Sequence, residues 1–178
     1  YASALAADHV LFNSRYHMSS FLKEAKALLK HFPDHNELDS IPQIKEKSIV
    51  LPVGLDLKRL SNFKPVQSAP PLILWNHRWE YDKNPETFFN TLFQLDREGI
   101  DFRVAVLGES FSKAPTIFED AHKRLKEKIV HFGYCKRSEE YVRWLWNADI
   151  IPVTNIQEFF GISVMEAMFC NTYPLLPN

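Results

Sequence analysis

Glu158 and Glu166 stand eight positions apart, with Phe160-Gly161-Ile162 between them. The apolar stretch from Asp149 to Val153 before them predicts a strand, and Gly161 to Phe169 predicts a helix. Glu158 then lies on the connecting loop, and the amides of Phe160, Gly161 and Ile162 sit at the helix N-terminus. Unpaired N–H groups and the helix dipole favour phosphate at such a terminus. Two carboxylates flanking a phosphate repel it unless each accepts hydrogen bonds from hydroxyls on either side. A nucleotide-sugar carries its groups in that order: sugar hydroxyls, diphosphate, ribose hydroxyls. The bland alternative is a strand, a turn and a surface helix with two solvated glutamates.

A second cluster follows the apolar run Pro71 to Trp75, in the segment Asn76-His-Arg-Trp-Glu-Tyr-Asp-Lys83-Asn-Pro85. Asn84 suits a helix N-cap and Pro85 the first helical position. Phe88, Phe89, Leu92, Phe93 and Leu95 give that helix an apolar face. Arg78 and Lys83 therefore fall on a strand-to-helix loop, where open α/β sheets bind ligands. A guanidinium clamps phosphate oxygens in pairs and an ammonium adds a point charge, so together they can neutralise a departing diphosphate. Taken alone, the same two cations read as surface charges paired with Glu80 or Asp82.

The Glu-x7-Glu spacing with Phe-Gly inside, and the Arg and Lys five residues apart, resemble the donor site of family 4 retaining glycosyltransferases, which have the GT-B fold. The Trp75 to Pro85 run, Ala7 to Phe21 and Leu51 to Asp56 are further similar to the glycosyltransferase-like-domain group. That group includes enzymes that transfer mannose from GDP-mannose to queuosine in tRNA. The resemblance implies that Glu158 holds sugar hydroxyls, Glu166 the ribose, and Arg78 and Lys83 the diphosphate. It gives the Phe160, Gly161 and Ile162 amides to the diphosphate or sugar. His77 is placed in the donor loop, where family members often have glycine. Tyr134 and Cys135 fall where members contact the base, although packing explains them equally well. No metal and no cofactor beyond the nucleotide-sugar are implied. Retention is expected to proceed without a protein nucleophile, the acceptor attacking on the face that the diphosphate leaves.

The elements that must position these groups alternate between strand and helix, which predicts a parallel sheet. Strands are expected at Val10–Asn13, Ile49–Pro52, Leu72–Trp75, Phe102–Leu107, Ile129–Phe132, Ile150–Val153 and Thr172–Leu176. Helices are expected from Ser14 to about His31 and near 84–98, 114–127, 138–147 and 161–169. Pro33 to Lys47, with two prolines, reads as loop or short turns. The fold class is α/β, Rossmann-like, with helices on both faces of the sheet. Residues 57–178 are expected to form the donor-binding domain and residues 1–56 the end of an N-terminal, acceptor-side domain. The chain begins at Tyr1 and stops before the last units of a GT-B protein, so a fragment is expected, binding donor weakly and catalysing little alone.

At 178 residues and 46% hydrophobic content the chain can bury a substantial core. No run approaches the roughly 18 apolar residues of a membrane span. Two cysteines and no Asn-x-Ser/Thr site argue against a disulfide framework and for a cytoplasmic protein. A net charge of -1 argues against a broad basic face, so local basic patches or the missing part of the protein would have to attract a tRNA acceptor. His31 and His35 have metal-pair spacing, but Pro33 between them breaks a helix. His17, His122 and His131 read as surface or core-edge residues. Trp75, Trp79, Trp144 and Trp146 read as core aromatics, with Trp79 bordering the pocket. Gly108 reads as a tight turn. A dinucleotide oxidoreductase would need Gly-x-Gly-x-x-Gly and a P-loop enzyme Gly-x4-Gly-Lys-Ser/Thr, and neither occurs. A non-catalytic domain that kept the fold is the remaining rival.

Overall fold

The computed structural model describes the chain except residues 35, 62, 64, 67, 68, 111–113, 157, 159 and 178. The chain divides into two compact units, Tyr1–Leu55 and Asp56–Asn178.

In the first unit, α1 (Ala2–Ala6) precedes β1 (Val10–Phe12), α2 (Arg15–Leu29), α3 (Ser40–Glu46) and β2 (Ser48–Val50). Strands β1 and β2 pair in parallel, Leu11 opposite Ile49. The Ser14 hydroxyl accepts from the His17 amide at 3.0 Å and starts α2 as the sequence predicts. Helix α3 corrects the loop expected for Pro33 to Lys47. Pro42 falls in its first turn, where a missing N–H removes no intrahelical bond, so proline is compatible there. Residue 35 of the histidine pair lies outside the described residues.

The second unit opens with a short 3-10 turn, Leu57–Leu60, and carries a five-stranded parallel sheet. Its elements run β3 (Leu72–Asn76), α4 (Pro85–Arg97), β4 (Arg103–Leu107), α5 (Ile117–Arg124), β5 (Ile129–Gly133), α6 (Ser138–Asn147), β6 (Ile150–Pro152), α7 (Ile162–Phe169) and β7 (Tyr173–Leu175). The spatial order is β5-β4-β3-β6-β7. Helix α5 is shorter than the 114–127 expected.

Every residue of β3 is buried, as a strand covered on both faces requires. Successive side chains point to opposite faces, so the strands divide between two cores. Ile73, Trp75, Val104 and Val106 meet Phe88, Phe89, Leu92 and Phe93 of α4 and Phe118 and Ala121 of α5. Leu72, Leu74, Ala105 and Leu107 meet Val142 and Leu145 of α6 and Val164 and Ala167 of α7. Fully buried, a phenylalanine such as Phe89 contributes about 3 kcal/mol or more against truncation to alanine. The chain steps outward from β3 through β4 to β5, then returns to the other side of β3 as β6. At that reversal the loops after β3 and β6 diverge to opposite faces and leave a crevice at the strands' carboxyl ends.

Candidate functional site

The crevice is a cleft of about 790 Å³, within the range of ligand pockets. Arg78, Lys83, Glu158, His77, Tyr134, Phe160, Gly161, Ile162 and Glu166 all line it. The loops after β3, β4, β5 and β6 thus meet in one place, as the strand order dictates.

The loop after β3 is held from two sides. The Trp75 indole donates to the His77 carbonyl at 3.0 Å, and the Trp79 indole to the Leu107 carbonyl at 3.1 Å. The Trp79 amide donates to the Glu109 carbonyl at 3.1 Å. Trp79 therefore does not border this cleft as expected. It stacks on Phe118, centroids 4.4 Å apart, and lines a separate shallow hollow beside α5. Gly108 sits against the His77 carbonyl with a φ of +111°, and a Cβ there would lie 2.0 Å from that oxygen. The turn expected at Gly108 is a backbone-to-backbone approach that only glycine allows.

On the other side, the Thr154 hydroxyl donates to the Lys83 carbonyl at 2.8 Å and the Ile156 amide to the Asp82 carbonyl at 2.9 Å. These bonds tie the loop after β3 to the loop after β6 and bring Lys83 to Glu158, Nζ to Oε2 3.5 Å. Asn84 caps α4 from a left-handed conformation, φ 52°, with Pro85 as the first helical residue. That sharp corner ends the loop right after Lys83.

Arg59, Arg78 and Lys83 in the cleft hold carboxylates. Arg78 pairs with Glu80 at 3.2 Å and Lys83 with Asp82 at 2.9 Å, the pairings that the charges suggest when read alone. Glu158 accepts from Asn155 Nδ2 at 2.8 Å and from the amides of Gly161 and Phe160 at 3.1 and 3.4 Å. Burial pushes the Glu158 pKa up, but Lys83 and these donors outweigh it and leave it below the usual value. The Phe160 and Gly161 amides, expected to face a ligand, are directed at this carboxylate. A phosphate that used them would have to displace it.

Glu166 is buried on α7 and bound by two groups that sequence reasoning missed. Arg59, from the Leu57–Leu60 turn, donates to one oxygen, and the Tyr141 hydroxyl donates to the other at 2.5 Å. Asn76 Nδ2 donates in turn to the Tyr141 oxygen at 2.9 Å and to the Ser163 carbonyl at 3.3 Å. Burial, together with the Glu166 carboxylate, raises the Tyr141 pKa, so the phenol stays a donor. Nothing in the spacing of Arg59, Asn76 and Tyr141 marks them as partners, because they come from a turn, a strand end and a helix far apart in sequence.

Tyr134 is 65% exposed at the cleft edge. Behind it, His131, Cys135 and Glu140 bring ligand-type atoms within 4.8 Å of one another, the one such group among the described residues. The His131 ring turns Nε2 to the Gly133 carbonyl, 2.9 Å, and to Cys135, 3.5 Å, but Nδ1 to Glu140, 3.6 Å. Opposite ring nitrogens are in use, the arrangement of a hydrogen-bonded histidine. Burial and Glu140 push the Cys135 thiol up to about 11, so it is protonated near neutrality.

A parallel sheet with helices on both faces and a charged cleft at its strand reversal is the layout of one half of a GT-B protein. Solved structures agree on the fold. TarM superposes with a TM-score of 0.69 at 13% identity, over 97% of this chain and 30% of its own. Sucrose-phosphate synthase from Thermosynechococcus elongatus gives 0.65 at 21%, over 97% and 41%. HepE from Anabaena in complex with UDP gives 0.61 at 14%, over 94% and 44%. Residues 58–178 match the family described as glycosyl transferases group 1, and residues 1–55 that described as tRNA-queuosine alpha-mannosyltransferase N-terminal. The chain belongs to the group 1 glycosyl transferases. It is 39% identical to the tRNA-queuosine alpha-mannosyltransferase of Drosophila melanogaster over 99% of its own length, and spans 49% of that relative.

Proposed function

We propose that the full-length protein is a retaining glycosyltransferase that moves mannose from GDP-mannose to queuosine in tRNA. The observation that carries this is the meeting of Arg78, Lys83, Glu158 and Glu166 in one cleft at the sheet's reversal. The likeness to the Drosophila enzyme supports the sugar and the acceptor.

In this reading the diphosphate takes Arg78 and Lys83 from Glu80 and Asp82, exchanging one anion for another. Glu158, relieved of Lys83, accepts from sugar hydroxyls. Glu166 accepts from the ribose hydroxyls, oriented by Arg59 and Tyr141, and Tyr134 covers the base. As the glycosidic bond breaks, negative charge grows on the departing diphosphate. Arg78 and Lys83 gain interaction energy in that transition state and so accelerate the step rather than only binding its reactant. The acceptor hydroxyl attacks the face that the diphosphate vacates, and its proton passes to a diphosphate oxygen.

No metal has a part in this scheme, so EDTA is expected to leave turnover unchanged. The reaction is placed in the cytoplasm, in keeping with two free cysteines. No described helix is long and apolar enough to cross a membrane. The test is a screen of nucleotide-sugars with full-length protein and queuosine-bearing tRNA. Mannosylated tRNA with GDP-mannose is the expected result, and transfer from a different donor would reassign the sugar. Calorimetry with each donor separates the rival reading of an inert scaffold, which takes up none.

A further inference from the structure

We propose that His77 recognises a hydroxyl of the transferred hexose, sharing it with the Glu158 carboxylate. This rests on the reading of the cleft as a nucleotide-sugar site. His77 is 5% exposed, and its Nε2 is enclosed with no hydrogen-bond partner among the described residues. An enclosed polar nitrogen left unpaired is destabilising, and such atoms in folded proteins call for an explanation. The residue is held firmly in place. Its carbonyl is fixed by the Trp75 indole and by the close approach of Gly108, and its ring stands edge-on to Trp75, centroids 5.3 Å apart. The orphan nitrogen belongs to a well-anchored side chain that lines the cleft beside Lys83 and Glu158.

The charge state selects the chemistry. Burial, and then Lys83, lower the His77 pKa from 6.5 to about 4, against weaker opposing pulls from Glu158 and Asp82. The imidazole is therefore neutral at physiological pH, with one N–H and one lone pair. A phosphate oxygen is better met by a cation, and Arg78 and Lys83 already provide two. A sugar hydroxyl suits a neutral imidazole beside a carboxylate, because it accepts from Nε2–H and donates to Glu158 together.

The test uses full-length protein, calorimetry, and GDP and GDP-mannose, or whichever nucleotide and nucleotide-sugar the donor screen selects. A series of monodeoxy sugar analogues, each lacking one hydroxyl, completes it. His77→Phe keeps a ring against Trp75 and removes the nitrogen. His77→Gln returns a donor near the Nε2 position. The expected result is that His77→Phe weakens the nucleotide-sugar about tenfold or more and leaves the nucleoside diphosphate unchanged, while His77→Gln recovers part of the loss. One deoxy analogue should bind wild type at least as weakly as the full donor binds His77→Phe, with little further loss in the variant. Equal losses for GDP and GDP-mannose, or no loss for either, would overturn the proposal in favour of a phosphate contact or a purely structural histidine. Wild-type protein that takes up no nucleotide would instead bring down the reading of the cleft itself.

Discussion

Arg78 and Lys83 each face a carboxylate from their own loop before any phosphate arrives, Glu80 for one and Asp82 for the other. Pairs of this kind contribute little to stability when exposed, and Arg78 is 60% exposed. The loss of Arg78 should therefore be felt in the reaction rather than in the fold, whereas Lys83, 13% exposed between Asp82 and Glu158, also helps to hold the loop. Arg78→Ala and Lys83→Ala in the full-length protein are each expected to lower turnover about tenfold or more, with circular dichroism unchanged. Wild-type rates in both variants would strip these residues of their assigned role.

Among the elements, the link between β3 and β4 decides whether the cleft forms. One indole, one amide and one glycine fix the loop after β3 to the end of β4, and the glycine tolerates no replacement. Gly108→Ala combines a 2.0 Å clash with the His77 carbonyl and a left-handed φ. It is expected to destabilise the protein by about 2 kcal/mol or more in denaturant unfolding. Gly54→Ala meets nothing within 4 Å and serves as the control, with a change within about 0.5 kcal/mol. If both variants unfold alike, the close approach is not what holds the loop.

For the whole molecule, the buried His77 makes stability depend on pH. Its folded pKa of about 4 lies below the unfolded 6.5. Between these values the unfolded chain binds a proton that the folded chain refuses, so stability falls as the pH drops from 6.5 towards 4. The loss approaches about 3 kcal/mol at the acid end. Glu158 adds to it below its unfolded value of 4.5, since its folded pKa is lower still and its stabilising contribution fades as it protonates. Thermal unfolding followed over this range should show the decline in wild type and a flatter profile in His77→Gln. Parallel profiles would mean that His77 is not held neutral.

The sequence by itself determined the alternation of strands and helices, because a parallel strand buried on both faces must be apolar throughout, as Leu72 to Trp75 is. It determined where α4 begins, because Asn84 and Pro85 carry that information locally. It also singled out four charged groups, Arg78, Lys83, Glu158 and Glu166, that the fold brings to one cleft. It did not determine α3, where Pro42 argues for a loop until its place in the first helical turn is known. Only the tertiary structure decided that Trp79 turns away from the cleft, that Glu158 takes up the Phe160 and Gly161 amides, and that Arg59, Tyr141 and Asn76 converge on Glu166. These outcomes depend on contacts between segments distant in the chain, set by the order in which strands join the sheet, and no local spacing encodes that order.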